Sequence, residues 1–207
     1  IEDITMHLHS NLIFIWIPKC GGTSICQPYF QKDIIWNWKE GLKTETVLNG
    51  RKTINQHVSY DRYAVLYPNH EYITQVRNPY TRWCSIYRHL KAWGLLPTWT
   101  LEEWTARAMM YLPQGRYIKL IEEWEPLWDS SHSNNRRIEH LFMPQWTYVR
   151  PEVEIHKMEE KTIWKRLNVD EKHYNQGAEI DCSGEYKRFV ADYYARDFET
   201  FDYDRSN

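Results

Sequence analysis

At 207 residues with 42% hydrophobic and 15% aromatic content, the chain carries enough apolar material for one buried core, and a single domain over residues 1–207 is expected. A formal net charge of -2 argues against a general nucleic-acid binder, which carries a basic excess, but leaves room for an anion on a local patch drawn from Arg136, Arg137, Lys157, Lys161, Lys165 and Arg166. No apolar stretch approaches the ~20 residues that span a bilayer, so no membrane span is expected within the chain.

In chain order, His7-x-His9 reads as a tail or the entrance to a strand. Strands are expected over residues 12–17, 53–58, 72–76 and 153–157, with helices over 23–30, 61–66 and 80–92 after the first three. Asn49-Gly50 carries the signal of a tight hairpin turn. Further helices are expected over 100–110, 115–128 and 184–196, and a polar loop over 130–137. Alternation of this kind predicts an α/β fold: a three-layer, P-loop-like arrangement with a mainly parallel sheet flanked by helices and ligand loops at the carboxyl ends of its strands.

The first of those strands ends in Ile17-Pro18-Lys19-Cys20-Gly21-Gly22-Thr23-Ser24. Gly21 and Gly22 suit backbone angles closed to other residues, Thr23 and Ser24 suit the opening of a helix, and Lys19 adds a positive charge at the rim; together they read as an anion cradle. The nucleotide P-loop places its lysine after the glycines and directly before a magnesium-binding hydroxyl. Here Lys19 precedes Gly21, so a magnesium-ATP site is a poor match. A second segment, Val76-Arg77-Asn78-Pro79-Tyr80-Thr81-Arg82-Trp83-Cys84-Ser85, runs from a strand into a helix, because Pro79 ends the ladder. Arg77 at the strand end and Ser85 on the helix can both address one phosphate, by guanidinium fork and by hydroxyl. A capping arginine and a surface serine are the plainer reading of the same residues.

Through these two segments the chain resembles the sulfotransferases that use 3′-phosphoadenosine 5′-phosphosulfate (PAPS), in particular the carbohydrate group that includes heparan sulfate 2-O-sulfotransferase. The first segment is similar to that family's 5′-phosphosulfate loop and the second to its 3′-phosphate motif. His140-Leu141-Phe142-Met143-Pro144-Gln145, Glu154-Ile155-His156-Lys157-Met158-Glu159 and Tyr194 to Tyr203 are similar to its later landmarks. The resemblance implies that Pro18, Lys19, Cys20, Gly21, Gly22, Thr23, Ser24, Arg77 and Ser85 bind the PAPS cosubstrate. It also implies catalytic roles for Lys19, which neutralises charge on the leaving nucleotide, and for His57, as the base that takes the acceptor proton. Read without the resemblance, His57 is a lone histidine at a strand end, a position that is more often structural.

The resemblance makes a carbohydrate hydroxyl the leading acceptor, with a small alcohol, a phenol or a peptide tyrosine as other options; Trp36, Trp38, Trp93 and Trp99 are candidates for stacking on it or for core packing. It places the chain in the Golgi lumen if an N-terminal anchor was removed, and in the cytoplasm if the chain is the full natural one. No metal is expected, since the histidines form no zinc pattern. Cys20, Cys26, Cys84 and Cys182 show no C-x-x-C spacing and are too few for a disulfide framework, so Cys20 and Cys84 are expected as buried thiols. Two other classes share parts of this pattern. A nucleotide kinase would need magnesium, and a noncatalytic nucleotide-binding protein would transfer nothing. Oligomeric state is not legible in the sequence.

Overall fold

Strand β1 (His7–His9) leads antiparallel into β2 (Leu12–Ile15), which is buried at every position, as a strand covered on both faces must be. The structure, a computed structural model, describes residues 7–9, 12–25, 46–48, 51–53, 57, 59–92, 94, 96, 98–115, 140–168, 170–171, 184 and 186–206. The short strands β3 (Thr46–Leu48) and β4 (Arg51–Thr53) form an antiparallel pair with Leu48 opposite Arg51, the register of the expected hairpin; its turn residues lie outside the described set. Helix α1 (Tyr60–Leu66) then precedes β5 (Glu71–Val76). Helices α2 (Pro79–Ala92) and α3 (Leu101–Tyr111) follow, then β6 (Val153–Lys157), α4 (Thr162–Leu167), α5 (Tyr186–Tyr193) and α6 (Ala195–Thr200).

These elements divide into two units. The first comprises residues 1–76 and 145–176. Its described sheet has the order β1-β2-β5-β6, and β5 pairs in parallel with both β2 and β6. Ile15 lies opposite Thr74 and Val76 opposite Lys157, so the three parallel strands end at the same edge of the sheet. One face, carrying Leu12, Phe14 and Ile73, packs with Trp16 and Ile25 against Ile163, Trp164 and Leu167 of α4. Each such side chain contributes about 1.5–3 kcal/mol when fully buried. On the other face the Tyr72 ring meets Tyr60 of α1 edge-on at 4.9 Å. The architecture is therefore α/β, with a mainly parallel sheet and helices on both of its faces, as the alternation predicts.

The second unit comprises residues 77–144 and 177–207, and its described residues are helical and aromatic. Trp83 of α2 and Trp104 of α3 stack at 4.2 Å, and Phe142, Phe189 and Tyr194 close around Trp83 at 6.2, 5.4 and 6.2 Å. Helix α3 starts where its sequence says it must. The Thr100 hydroxyl accepts from the Glu103 N–H and the Glu103 carboxylate accepts from the Thr100 N–H, a reciprocal cap.

Of the strand expected over 53–58, Thr53 is the last described residue of β4 and His57 lies outside any strand, while residues 54–56 and 58 lie outside the described residues. Two expectations need correction. The helix expected over 184–196 is broken into α5 and α6, because Tyr194 leaves helical geometry (φ -103, ψ 24) and donates its buried hydroxyl to the Phe142 carbonyl. Cys84 is not a thiol but is disulfide-bonded, its partner lying outside the described residues, whereas Cys20 is a buried thiol as expected. A count of cysteines measures the case for a framework of several bridges and is silent on a single one. The helix expected over 23–30 is described only at residues 22–25. Residues 116–137, with Arg136 and Arg137, and Trp36, Trp38 and Trp93 lie outside the described residues. Trp99, a stacking candidate, carries the Arg107 guanidinium over its ring at 3.9 Å.

Candidate functional site

The chain leaves β2 through Trp16 and turns tightly over residues 18–21. Lys19 holds φ +66 and Gly21 φ +77, both left-handed. For Gly21 this is ordinary; for Lys19 it carries a cost of about 1–3 kcal/mol that the surroundings must offset. They do so with buried polar side chains. The Gln75 amide, on β5, donates from Nε2 to the Cys20 carbonyl at 2.7 Å, and the Cys20 thiol lies 3.0 Å from Gln145 Oε1, its acceptor. Ser24 and Ile25 return their N–H groups to the Gly21 carbonyl at 2.9 and 3.2 Å, opening the helical turn at residues 22–25.

Neither glycine has room for a side chain with its neighbours as they stand. A Cβ on Gly21 would stand 2.6 Å from Gln75 Nε2, and one on Gly22 would stand 2.2 Å from Trp16 Nε1. Pro18, Cys20, Gly22 and Ser24 are buried, while Lys19, Gly21 and Thr23 are partly exposed. Cys20 therefore presents main chain at the turn, its thiol being engaged by Gln145.

His57 joins this loop. Its Nδ1 is 2.8 Å from the Trp16 carbonyl and its ring meets the Trp16 indole edge-on at 5.8 Å. A carbonyl only accepts, so Nδ1 carries the proton in this bond, and in the neutral ring the lone pair then falls on Nε2. Trp16 thus touches both Gly22 and His57, and the first unit gathers the whole Lys19-to-Ser24 loop and the candidate base around one residue.

Arg77 and Ser85 belong to the second unit. Asn78 starts α2 by accepting the Tyr80 N–H on Oδ1 and the Arg82 N–H on its carbonyl, both at 2.9 Å. Arg77 Nε donates to Thr81 Oγ1 at 3.0 Å. Thr81 and Ser85 are four residues apart and so share one helix face, and both are partly exposed while the intervening Arg82, Trp83 and Cys84 are buried. The structure therefore sets Arg77 and Ser85 along one side of α2. Arg82 points elsewhere. It is 1% exposed, donates to the Leu141 and Met143 carbonyls at 3.0 and 2.9 Å, and lies over the Tyr194 ring. The second arginine of the motif is thus a tie between α2 and residues 140–143.

Gln75, Gln145 and Trp16 are the loop-supporting residues that the motifs did not single out. Gln75 did leave a signal, as a polar residue two places after Ile73 in a strand buried throughout from Tyr72 to Val76. Among the described residues no group of three or more His, Cys, Asp or Glu is placed to hold a metal ion, and no helix is long and apolar enough to cross a membrane.

No protein-family model matches the chain, and no curated protein sequence matches it. Among solved structures, a sulfotransferase from Alicyclobacillus acidocaldarius is similar over 98% of this chain and 90% of that one, at 17% sequence identity and a TM-score of 0.39. At that level the fold rests on the strand order and register of the chain itself.

Proposed function

We propose that the chain is a PAPS-dependent sulfotransferase that moves the sulfuryl group to an acceptor hydroxyl, that of a carbohydrate. The observation that supports the reading is the bond from His57 Nδ1 to the carbonyl of Trp16, the residue from which the Lys19 loop departs, which holds a histidine of defined tautomer against that loop. A bare nucleotide-binding loop has no use for such a base.

In this reading the acceptor hydroxyl gives its proton to His57 Nε2 as its oxygen attacks sulfur. The bond between sulfur and the bridging phosphate oxygen breaks, leaving adenosine 3′,5′-bisphosphate. Charge grows on that bridging oxygen, and Lys19 neutralises it in the transition state more than in the ground state. The main chain around Gly21 and Gly22, with Thr23 and Ser24, binds the 5′ end, and Arg77 and Ser85 read the 3′-phosphate. Positioning and charge stabilisation supply the rate, as in phosphoryl transfer, without a covalent enzyme intermediate.

The test is incubation with sulfur-labelled PAPS, in chelator, against a panel of glycans, phenols and small alcohols. Label is expected on a glycan, with transfer by His57→Ala reduced about 100-fold while nucleotide binding persists. Label on no acceptor would leave a noncatalytic nucleotide-binding protein; phosphate transfer from ATP that requires magnesium would make it a kinase.

A further inference from the structure

Gln75 stands where a parallel strand asks for valine or isoleucine. It is 2% exposed, it lies between Thr74 and Val76 on β5, and it pairs in register with His156 of β6. Half of its amide is used: Nε2 donates to the Cys20 carbonyl at 2.7 Å, while Oε1 is buried without a hydrogen-bond partner among the described residues. An apolar residue would remove that unsatisfied oxygen, so the position has been filled at a cost to folding. What it gains is control of the loop. The Cys20 carbonyl belongs to the peptide between Cys20 and Gly21, and the residues on either side of Cys20, Lys19 and Gly21, are both left-handed. A donor fixed on that carbonyl from a central strand keeps the peptide from rotating, and the same Nε2 fills the space a side chain at position 21 would need.

We infer that Gln75 is a positioning residue: through the Cys20 carbonyl it holds Lys19 in the left-handed conformation that delivers the ammonium to the leaving group. The inference rests on the sulfotransferase reading. Gln75 is buried behind the Cys20 carbonyl, and its effect passes through Lys19. Loss of the tether therefore lowers turnover more than it weakens nucleotide binding, because a displaced Lys19 fails chiefly where charge develops.

The experiment compares Gln75→Met, which keeps the length of the side chain and lacks the donor, with the full wild-type chain. Expected are a melting temperature within a few degrees of wild type, kcat for labelled transfer from PAPS lower by about 10-fold, and KM for PAPS changed by less than about 3-fold. Placed on a Lys19→Ala background, the same substitution is expected to cost less than about 2-fold more, since residues acting through one another are not additive. Should Gln75→Met fail to fold, Gln75→Asn withdraws the same donor by one methylene and keeps an amide, and the same split is expected of it. Wild-type kcat in either variant, or a full 10-fold further loss on the Lys19→Ala background, overturns the positioning role while leaving the sulfotransferase reading intact. Absence of transfer by the wild-type chain overturns that reading, and the role of Gln75 with it.

Discussion

The two candidate binding segments are held in opposite ways. In the first unit the Lys19 loop depends on single polar contacts: one amide on the Cys20 carbonyl, one thiol on Gln145, one imidazole on the Trp16 carbonyl. In the second, α2 is held by area, with Trp83 stacked on Trp104 and enclosed by Phe142, Phe189 and Tyr194. Directional bonds fix a conformation and add little net stability each, about 0.5–1.5 kcal/mol. Aromatic burial supplies stability and tolerates small shifts. On the proposed function, the loop places one ammonium, which calls for the former, and the helix presents a face, which calls for the latter.

The comparison breaks most visibly at Trp104. Trp104→Ala empties the stack and is expected to cost about 3–5 kcal/mol of unfolding free energy, read by denaturant titration, with the kcat of the remaining folded protein little changed. Lys19→Ala should do the reverse. Transfer is expected to fall on the order of 100-fold at unchanged unfolding free energy, and unchanged turnover would remove Lys19 from the mechanism. Gly22→Ala sharpens the contrast, because it adds a single carbon. That carbon falls on the buried Trp16 indole, which also meets the His57 ring edge-on. Overpacking of this kind costs about 1–3 kcal/mol, and thermal shift with adenosine 3′,5′-bisphosphate should show weakened binding. The smallest effect belongs to His140. Burial holds its pKa below the ordinary 6.5, so the unfolded chain binds the proton more readily than the folded one. Stability is therefore lost as pH falls through 6.5, and calorimetry at pH 7.5 and 5.5 should find a smaller loss in His140→Asn than in wild type.

Much of this was legible in the sequence where local pattern and tertiary demand agree. The apolar runs at Leu12 and Tyr72 read as strands, Pro79 ends the second of them ahead of a helix over 80–92, and the helix expected over 100–110 is α3. Legibility failed where a distant partner decides. A strand is expected over 53–58, yet His57 lies outside any strand and bonds to the Trp16 carbonyl, 41 residues away. Tyr194 lies in a good helical sequence and leaves the helix for a hydrogen bond to Phe142, 52 residues away. Arg82 lies within the second segment, and only the fold shows it buried against the carbonyls of residues 141 and 143. At the candidate site, motif spacing located the loop residues, and only the fold showed that the loop is steadied by Gln75 and Gln145, from strand and turn far along the chain.

On the proposed function the chain reads a 3′-phosphate, and thermal shift with two nucleotides tests this without knowledge of the acceptor. Adenosine 3′,5′-bisphosphate and AMP share the adenosine and the 5′-phosphate, so their difference isolates the group assigned to Arg77 and Ser85. A ligand at 100 times its dissociation constant stabilises by about 2.7 kcal/mol, and each kcal/mol moves the melting temperature of a chain of this size by roughly 2–4 °C. The bisphosphate should therefore raise the melting temperature several degrees beyond AMP at equal concentration, with the preference largely erased in Arg77→Ala and reduced less in Ser85→Ala. Equal stabilisation of the wild-type chain by the two nucleotides would contradict the account.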